Sequence, residues 1–251
     1  MLPYEWQPLE TETVRVGSYF DGGYVVSPAA VAGATLLISM GINDDWTFEE
    51  GFRRLNRVPM LCFDHTVGFR LWARAFLRGL IKRRPRDMVK YLSYRRFFRG
   101  EVEHRKQAVG YDADGGVSLA SILAETDSND LFLKADIEGA EYRILETITA
   151  HSERFAGITM ELHFVDLHRD RITDWIRSLP NHAVTALHPN NFGGVDERGD
   201  PLTVEITLTR LDLVGARTSA PPLHRVNNPN GPVIKLRFER PLVVLTRIRR
   251  A

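Results

Sequence analysis

Apolar residues along this chain fall into short unbroken runs separated by segments of helical spacing. Thr35 to Met40 (TLLISM), Val58 to Phe63, Leu131 to Ala135, Gly157 to Leu162 and His182 to Leu187 each have strand length and little alternation. Such runs predict strands buried on both faces, as in a parallel sheet. Between them, Phe48, Phe52 and Leu55 share one helical face behind Thr47 as N-cap, and the spacing predicts further helices over Glu141–Ala150 and Leu167–Leu179. Ser118 opens another short helix, SLASILAE, and Asp127 to Asp130 is a polar turn. Leu202 to Thr209 (LTVEITLT) alternates apolar and polar, the pattern of an antiparallel edge strand with one wet face. Near the start, Arg15 to Val26 carries an Asp-Gly-Gly turn followed by a strand-like run. The stretch Ser219–Pro232, rich in Pro and Asn, reads as irregular, and Val233–Phe238 as a last strand or a surface segment. The order strand, helix, strand predicts one α/β domain of Rossmann-like type over residues 1–251.

Charge changes this picture in one place. The net charge of +1 hides thirteen Lys or Arg against three acids between Phe69 and Lys106, an excess of +10 that leaves −9 elsewhere. Trp72, Phe76 and Leu80, then Met88, Tyr91, Leu92 and Arg95, predict two helices interrupted near Pro85. Residues 69–106 therefore read as a basic helical insertion capping the core. It is either a solvated helix pair packed on the body through its aromatic residues, or, in order of preference after that, a lid drawing an acidic acceptor, a contact with an anionic membrane, or a nucleic-acid surface, the last least expected because no recognised module accompanies it. The single Cys62, inside an apolar run, excludes a disulfide framework and fits a buried thiol in a reducing compartment. No secretory signal and no bilayer-spanning helix is expected, so the expected location is cytoplasmic.

The candidate chemistry sits at the ends of the predicted strands, where open α/β sheets bind ligands. Leu131 to Glu146 (LFLKADIEGAEYRILE) places Asp136, Glu138 and Glu141 just past a buried strand. Asp136 is the leading catalytic candidate, as general base toward a hydroxyl or as ligand to a cation that acidifies it. Glu138 and Glu141 are candidates for binding cation or substrate, and Glu141 alternatively complements a helix N-terminus, worth about 0.3–1 kcal/mol. The turn Gly41, Ile42 and Asn43 lets a cofactor approach the backbone. Asp64 closes the second strand, where dinucleotide folds place an acid on ribose hydroxyls, while Asp45 reads as a helix-start residue. Glu161 and His163 share a face by their period-two spacing, within reach of Asp136, which makes His163 a candidate catalytic base or metal ligand. Arg15 is either a carboxylate clamp or a surface side chain. Carbonyl oxygens from Asn190 and Asn191, added to Asp136 and Glu161, suit Mg, Ca or Mn rather than Zn.

The stretches DGGYVV (21–26), SMGINDDWTFEEGF (39–52), FDHT (63–66) and LKADIEGAEYRIL (133–145), with ELH (161–163) and HPNNFGG (188–194), resemble the FkbM-like S-adenosylmethionine-dependent methyltransferases over residues 15–210. That resemblance implies a class I methyltransferase fold, a mostly parallel seven-stranded sheet with an antiparallel last strand. It implies methyl transfer to a hydroxyl of a small molecule, sugar or glycan, with Asp64 on the adenosine ribose. Asp21, Gly22, Gly23 and Tyr24 match the family's early motif and either pack over the cofactor's amino-acid end or simply enter the sheet. A divalent cation, Mg or Mn on Asp136, Glu161 and Asn191, is a further expected cofactor. Two other classes stay open: a nucleotide-sugar transferase using Asp136-Ile137-Glu138 as an acid-x-acid metal motif, and a non-catalytic adaptor working through the basic insertion.

Overall fold

The computed structural model describes residues 1–83, 89–110, 115–216 and 227–240. Seven strands form the central sheet: β3 (Leu36–Met40), β4 (Met60–Phe63), β5 (Val102–Arg105), β6 (Leu131–Ala135), β7 (Phe155–Leu162), β8 (His182–Pro189) and β9 (Val204–Arg210). Their order is β5-β4-β3-β6-β7-β9-β8, and a separate antiparallel hairpin joins β1 (Val14–Gly17) to β2 (Gly23–Val26). Every residue of β3, β6 and β7 is buried, as their unbroken apolar runs require. One face packs Ile38, Met40, Leu133 and Met160 against α5 (Leu119–Ala124), α6 (Leu145–Ala150) and α7 (Val165–Arg177). The other packs Leu37, Met60, Cys62 and Phe132 with α1 (Pro28–Gly33), α2 (Thr47–Leu55) and the hairpin. Burial pushes the Cys62 thiol's pKa well up, so it is an inert core residue.

The chain winds outward one way through β3, β4 and β5 and the other way through β6 and β7. The reversal between β3 and β6 opens a crevice beyond their carboxyl ends.

The structure corrects several expectations. The basic segment contains α3 (Phe69–Ile81) and α4 (Lys90–Phe97), but its end is sheet strand β5, so these helices lie in the crossover between the parallel strands β4 and β5. Sequence reading missed β5 because VEHR is mostly charged; its exposed charges pair, Arg105 with Glu103 and Glu125. The expected break near Pro85 lies outside the described residues. The strand Val204–Arg210 is antiparallel to both neighbours yet lies one strand in from the edge, which is β8. Its alternation comes from buried polar side chains, since Thr207 donates to the Val25 carbonyl under the hairpin at 2.7 Å. The helix expected over Glu141–Ala150 splits into a 3-10 turn, Ala140–Arg143, and α6. Thr47 is not the N-cap, a place taken by Trp46 with no side-chain cap bond; the Thr47 N–H donates to Asp45 Oδ1 at 2.9 Å just ahead of the helix. Leu55 is exposed rather than packed beside Phe48 and Phe52. No helix among the described residues is long and apolar enough to cross a membrane.

Candidate active site at the carboxyl ends of the central strands

Met40 and Ala135 are register partners, so the residues that follow them, Gly41 and Asp136, meet in the crevice. A Cβ at Gly41 would lie 1.6 Å from the Asp136 carbonyl oxygen, and Gly41 has φ +77°. Glycine is required there by the neighbouring backbone, a tighter constraint than the approach of a ligand. Three non-glycine residues at the ends of β3, β6 and β7 also take left-handed backbone: Asn43 (φ 42°), Glu138 (φ 55°) and Phe164 (φ 53°). Strain of this kind, of order 1–3 kcal/mol per residue, gathers where ligands are handled.

Two chambers occupy the crevice. The larger, about 460 Å³, runs over β3, β6 and β7, and the smaller, about 180 Å³, lies over β4 and β6. Gly41, Asn43, Asp136 and Glu138 line both and so form their shared wall. The smaller chamber combines Phe63, Val109 and Ile137 with Asp64. Asp64 fastens the loops around it: Oδ2 accepts from the Asn43 N–H at 2.7 Å, and Oδ1 accepts from the Thr66 N–H at 2.7 Å and its hydroxyl at 2.6 Å.

The larger chamber is acidic. Seven acidic side chains line it, three of them (Asp21, Glu49 and Glu161) pushed by burial toward the neutral form, against two cationic side chains, Lys134 and His163. Lys134 escaped sequence reading. It is 4% exposed, donates to the Met40 carbonyl at 3.2 Å and to the Gly41 carbonyl, and lies 4.0 Å from Asp136 Oδ2. The available signal was a lysine inside the apolar run LFLKA, since a buried ammonium demands partners. Glu49 was missed as well. It accepts from the Ser39 hydroxyl at Oε1 while Oε2 is buried without a partner, and burial raises its pKa. Tyr24 donates its hydroxyl to Asp136 Oδ2 at 3.1 Å, which ties the DGGY turn to the catalytic candidate.

His163 stands among three glutamates. Nδ1 is 3.2 Å from Glu141 Oε1, and Nε2 is 3.5 Å from Glu138 Oε2 and 3.7 Å from Glu161 Oε1. Burial alone would lower its pKa; the Glu141 bond and the charges of Glu141, Glu161 and Asp136 outweigh that and lift it to about 9. Burial, then the charges of Asp136 and Glu205, pushes Glu161 upward too, against the pull of His163. Glu161 Oε1 accepts from Asn190 Nδ2 at 2.7 Å. Glu141 is fully buried and faces the chain: its oxygens accept from the Ile137 N–H at 2.8 Å and the Gly139 N–H at 2.9 Å, so it orients His163.

A pKa raised from 6.5 to about 9 means that the folded state holds a proton the unfolded chain releases. That stability is complete below pH 6.5 and is lost as pH rises toward 9. The melting temperature of ligand-free protein is expected to fall between those values, and the fall should flatten in His163→Gln.

Asp21, Gly22, Ile42 and Asn43 line the larger chamber as expected, while Gly23 packs on the Ser18 carbonyl instead. Asn191 is not at the site. Its Nδ2 donates to the carbonyls of Asn228 at 2.9 Å and Pro232 at 3.0 Å, which pins a later segment, and Asn190 takes its place. Arg15 donates to the carbonyls of Ser18 at 2.8 Å and Phe20 at 2.7 Å and braces the turn, while its Nη1 is buried without a hydrogen-bond partner.

Of the residues expected to hold a divalent cation, Asp136 and Glu161 line the larger chamber and Asn191 does not. Ligand atoms of Asp136, Glu141 and His163 lie within 4.8 Å of one another. The Glu141 oxygens also accept from the backbone N–H groups of Ile137 and Gly139, and His163 would have to release its proton to ligate an ion there.

The strand order with its reversed β9, and the crevice between β3 and β6, are those of the class I methyltransferase fold. No protein-family model matches the sequence, and no curated protein does. Among solved structures, the chain is similar to an rRNA methylase from Streptococcus thermophilus (11% identity, 73% of this chain and 92% of that one, TM-score 0.42). It is also similar to a chain of a fibrillarin/Nop5p complex (11%, 81% and 100%, TM-score 0.39) and to M. capricolum TrmK bound to S-adenosylhomocysteine (10%, 72% and 66%, TM-score 0.37). These neighbours correct the expectation against nucleic acid: proteins named as RNA methylases have similar folds, so the fold gives no ground for setting nucleic acid aside.

Proposed function

We propose that the protein is an S-adenosylmethionine-dependent methyltransferase that methylates a hydroxyl of a small molecule or sugar. The observation that carries this reading is the position of Asp136 in the wall common to both chambers. The smaller chamber suits a nucleoside, with apolar walls for a base and Asp64 for the ribose hydroxyls. The acid-lined chamber favours the cofactor's positive charge. When bound, the cofactor supplies an electrophilic methyl group on a sulfonium.

This chain's own residues prepare the acceptor oxygen. Tyr24 and Lys134 hold Asp136 through Oδ2, which leaves Oδ1 to take the hydroxyl proton. His163, protonated and oriented by Glu141, offers an N–H at Nε2 that positions the oxygen for in-line attack. The excess of carboxylates disfavours an anionic acceptor, against the expectation that the basic insertion recruits one; a neutral or cationic acceptor fits.

The nucleotide-sugar reading is less well supported, because Glu138 of the acid-x-acid motif is a largely exposed side chain (86%). Thermal shift separates the two. S-adenosylhomocysteine at about a hundred times its Kd is expected to stabilise the protein by about 2.7 kcal/mol. A uridine diphosphate sugar with Mn should leave the melting temperature unchanged. The opposite pattern would reverse the assignment.

A further inference from the structure

We infer that the outer face of α3 and α4 is a docking surface for an anionic lipid bilayer. Seven of the nineteen large apolar side chains exposed among the described residues lie on this helix pair and its flanks. On α3 they are Phe76, Leu77, Leu80 and Ile81, at spacings of four residues that put them on one stripe. Val89, Tyr91 and Leu92 continue the apolar surface on α4, which packs against α3. The opposite side is anchored in the body: Trp72 and Tyr94 stack near Trp46, and Lys90 pairs with Asp44 at 3.1 Å. The exposed stripe is therefore surplus to the packing that holds the helices.

Exposed Arg70, Arg74, Lys82 and Arg83 on α3 and its end, and Arg95 and Arg96 on α4, border the stripe, and neither helix contains an acid. Charge complementarity calls for an anionic occupant and opposes a second copy of the same face. Five of the seven apolar side chains are aliphatic, and of the two rings Tyr91 already lies against Trp72 at 5.7 Å, so few ring faces are left on which nucleobases could stack. An interfacial bilayer contact uses both components, aliphatic groups entering the headgroup–acyl boundary and arginines meeting lipid phosphates. Lys90–Asp44 ties this surface to a loop that lines the larger chamber.

The test is co-sedimentation of the full chain with vesicles of phosphatidylcholine alone and of an equal mixture of phosphatidylcholine and phosphatidylglycerol. Pelleting with the mixture only, weakened by salt and lost in Leu77→Glu/Leu80→Glu, is the expected result. Leu92→Glu, a single change on the other helix, should weaken it too. Both variants should keep the wild-type melting temperature, since the changed side chains are exposed. Failure to pellet with the mixture, or undiminished pelleting of both variants, would overturn the inference. So would tight binding of an RNA oligonucleotide that both variants retain and Arg74→Glu/Arg95→Glu loses, which would assign the surface's arginines to nucleic acid.

Discussion

Asp136→Asn is expected to leave the protein folded and able to bind S-adenosylhomocysteine while lowering kcat by about 10²–10⁴-fold, the range for losing a general base. The substitution keeps the size of the side chain, and an amide oxygen can still accept from the Tyr24 hydroxyl that now bonds Oδ2 at 3.1 Å. What it removes is the capacity to take a proton beside the buried Lys134. Calorimetric binding and single-turnover methyl transfer, measured on the same preparation, separate the two effects. A rise in KM with kcat intact would make Asp136 a binding residue only.

Gly41→Ala is expected to produce the largest loss of stability of any single methyl addition in the crevice. The new Cβ would sit 1.6 Å from the Asp136 carbonyl oxygen and 2.8 Å from its carbon, at a backbone φ of +77°. Neither atom belongs to a flexible side chain, so the two central strand ends must separate. Overpacking and left-handed strain together cost about 2–6 kcal/mol, a large part of the ~5–15 kcal/mol that holds an ordinary domain together. The urea midpoint should fall accordingly with an unchanged slope. Gly33→Ala is the control: a Cβ there meets nothing within 4 Å, and the midpoint should move little.

Much of the sheet was legible because its central strands are buried on both faces, and uninterrupted runs such as TLLISM and LFLKA have few other readings. The edge was not. β5 is four residues of mostly charged sequence whose pairing partners lie far along the chain. The alternation of β9 gave its antiparallel sense correctly, but a polar side chain buried under the hairpin looks the same in sequence as one facing water. At the site, the acids closing strands were visible by position. Their division of labour was not, because it depends on which way each side chain turns: Glu141 toward backbone N–H groups, Asn191 toward a later segment, Asn190 toward Glu161. Lys134 and Glu49 were hidden for the opposite reason. Each lies in a segment whose pattern already had a structural explanation; a charge inside the run LFLKA was the one signal for Lys134, and only three-dimensional contacts set Glu49 apart.

The two chambers that meet at Gly41, Asn43, Asp136 and Glu138 are held to form one cofactor-and-acceptor site. Isothermal titration of S-adenosylhomocysteine into wild type and Asp64→Ala tests this most directly. Saturable one-to-one binding to wild type, weakened about tenfold or more (1.4 kcal/mol) in a variant that keeps its circular dichroism, is the predicted result. An absence of heat with wild type, or equal affinity in both proteins, would contradict it.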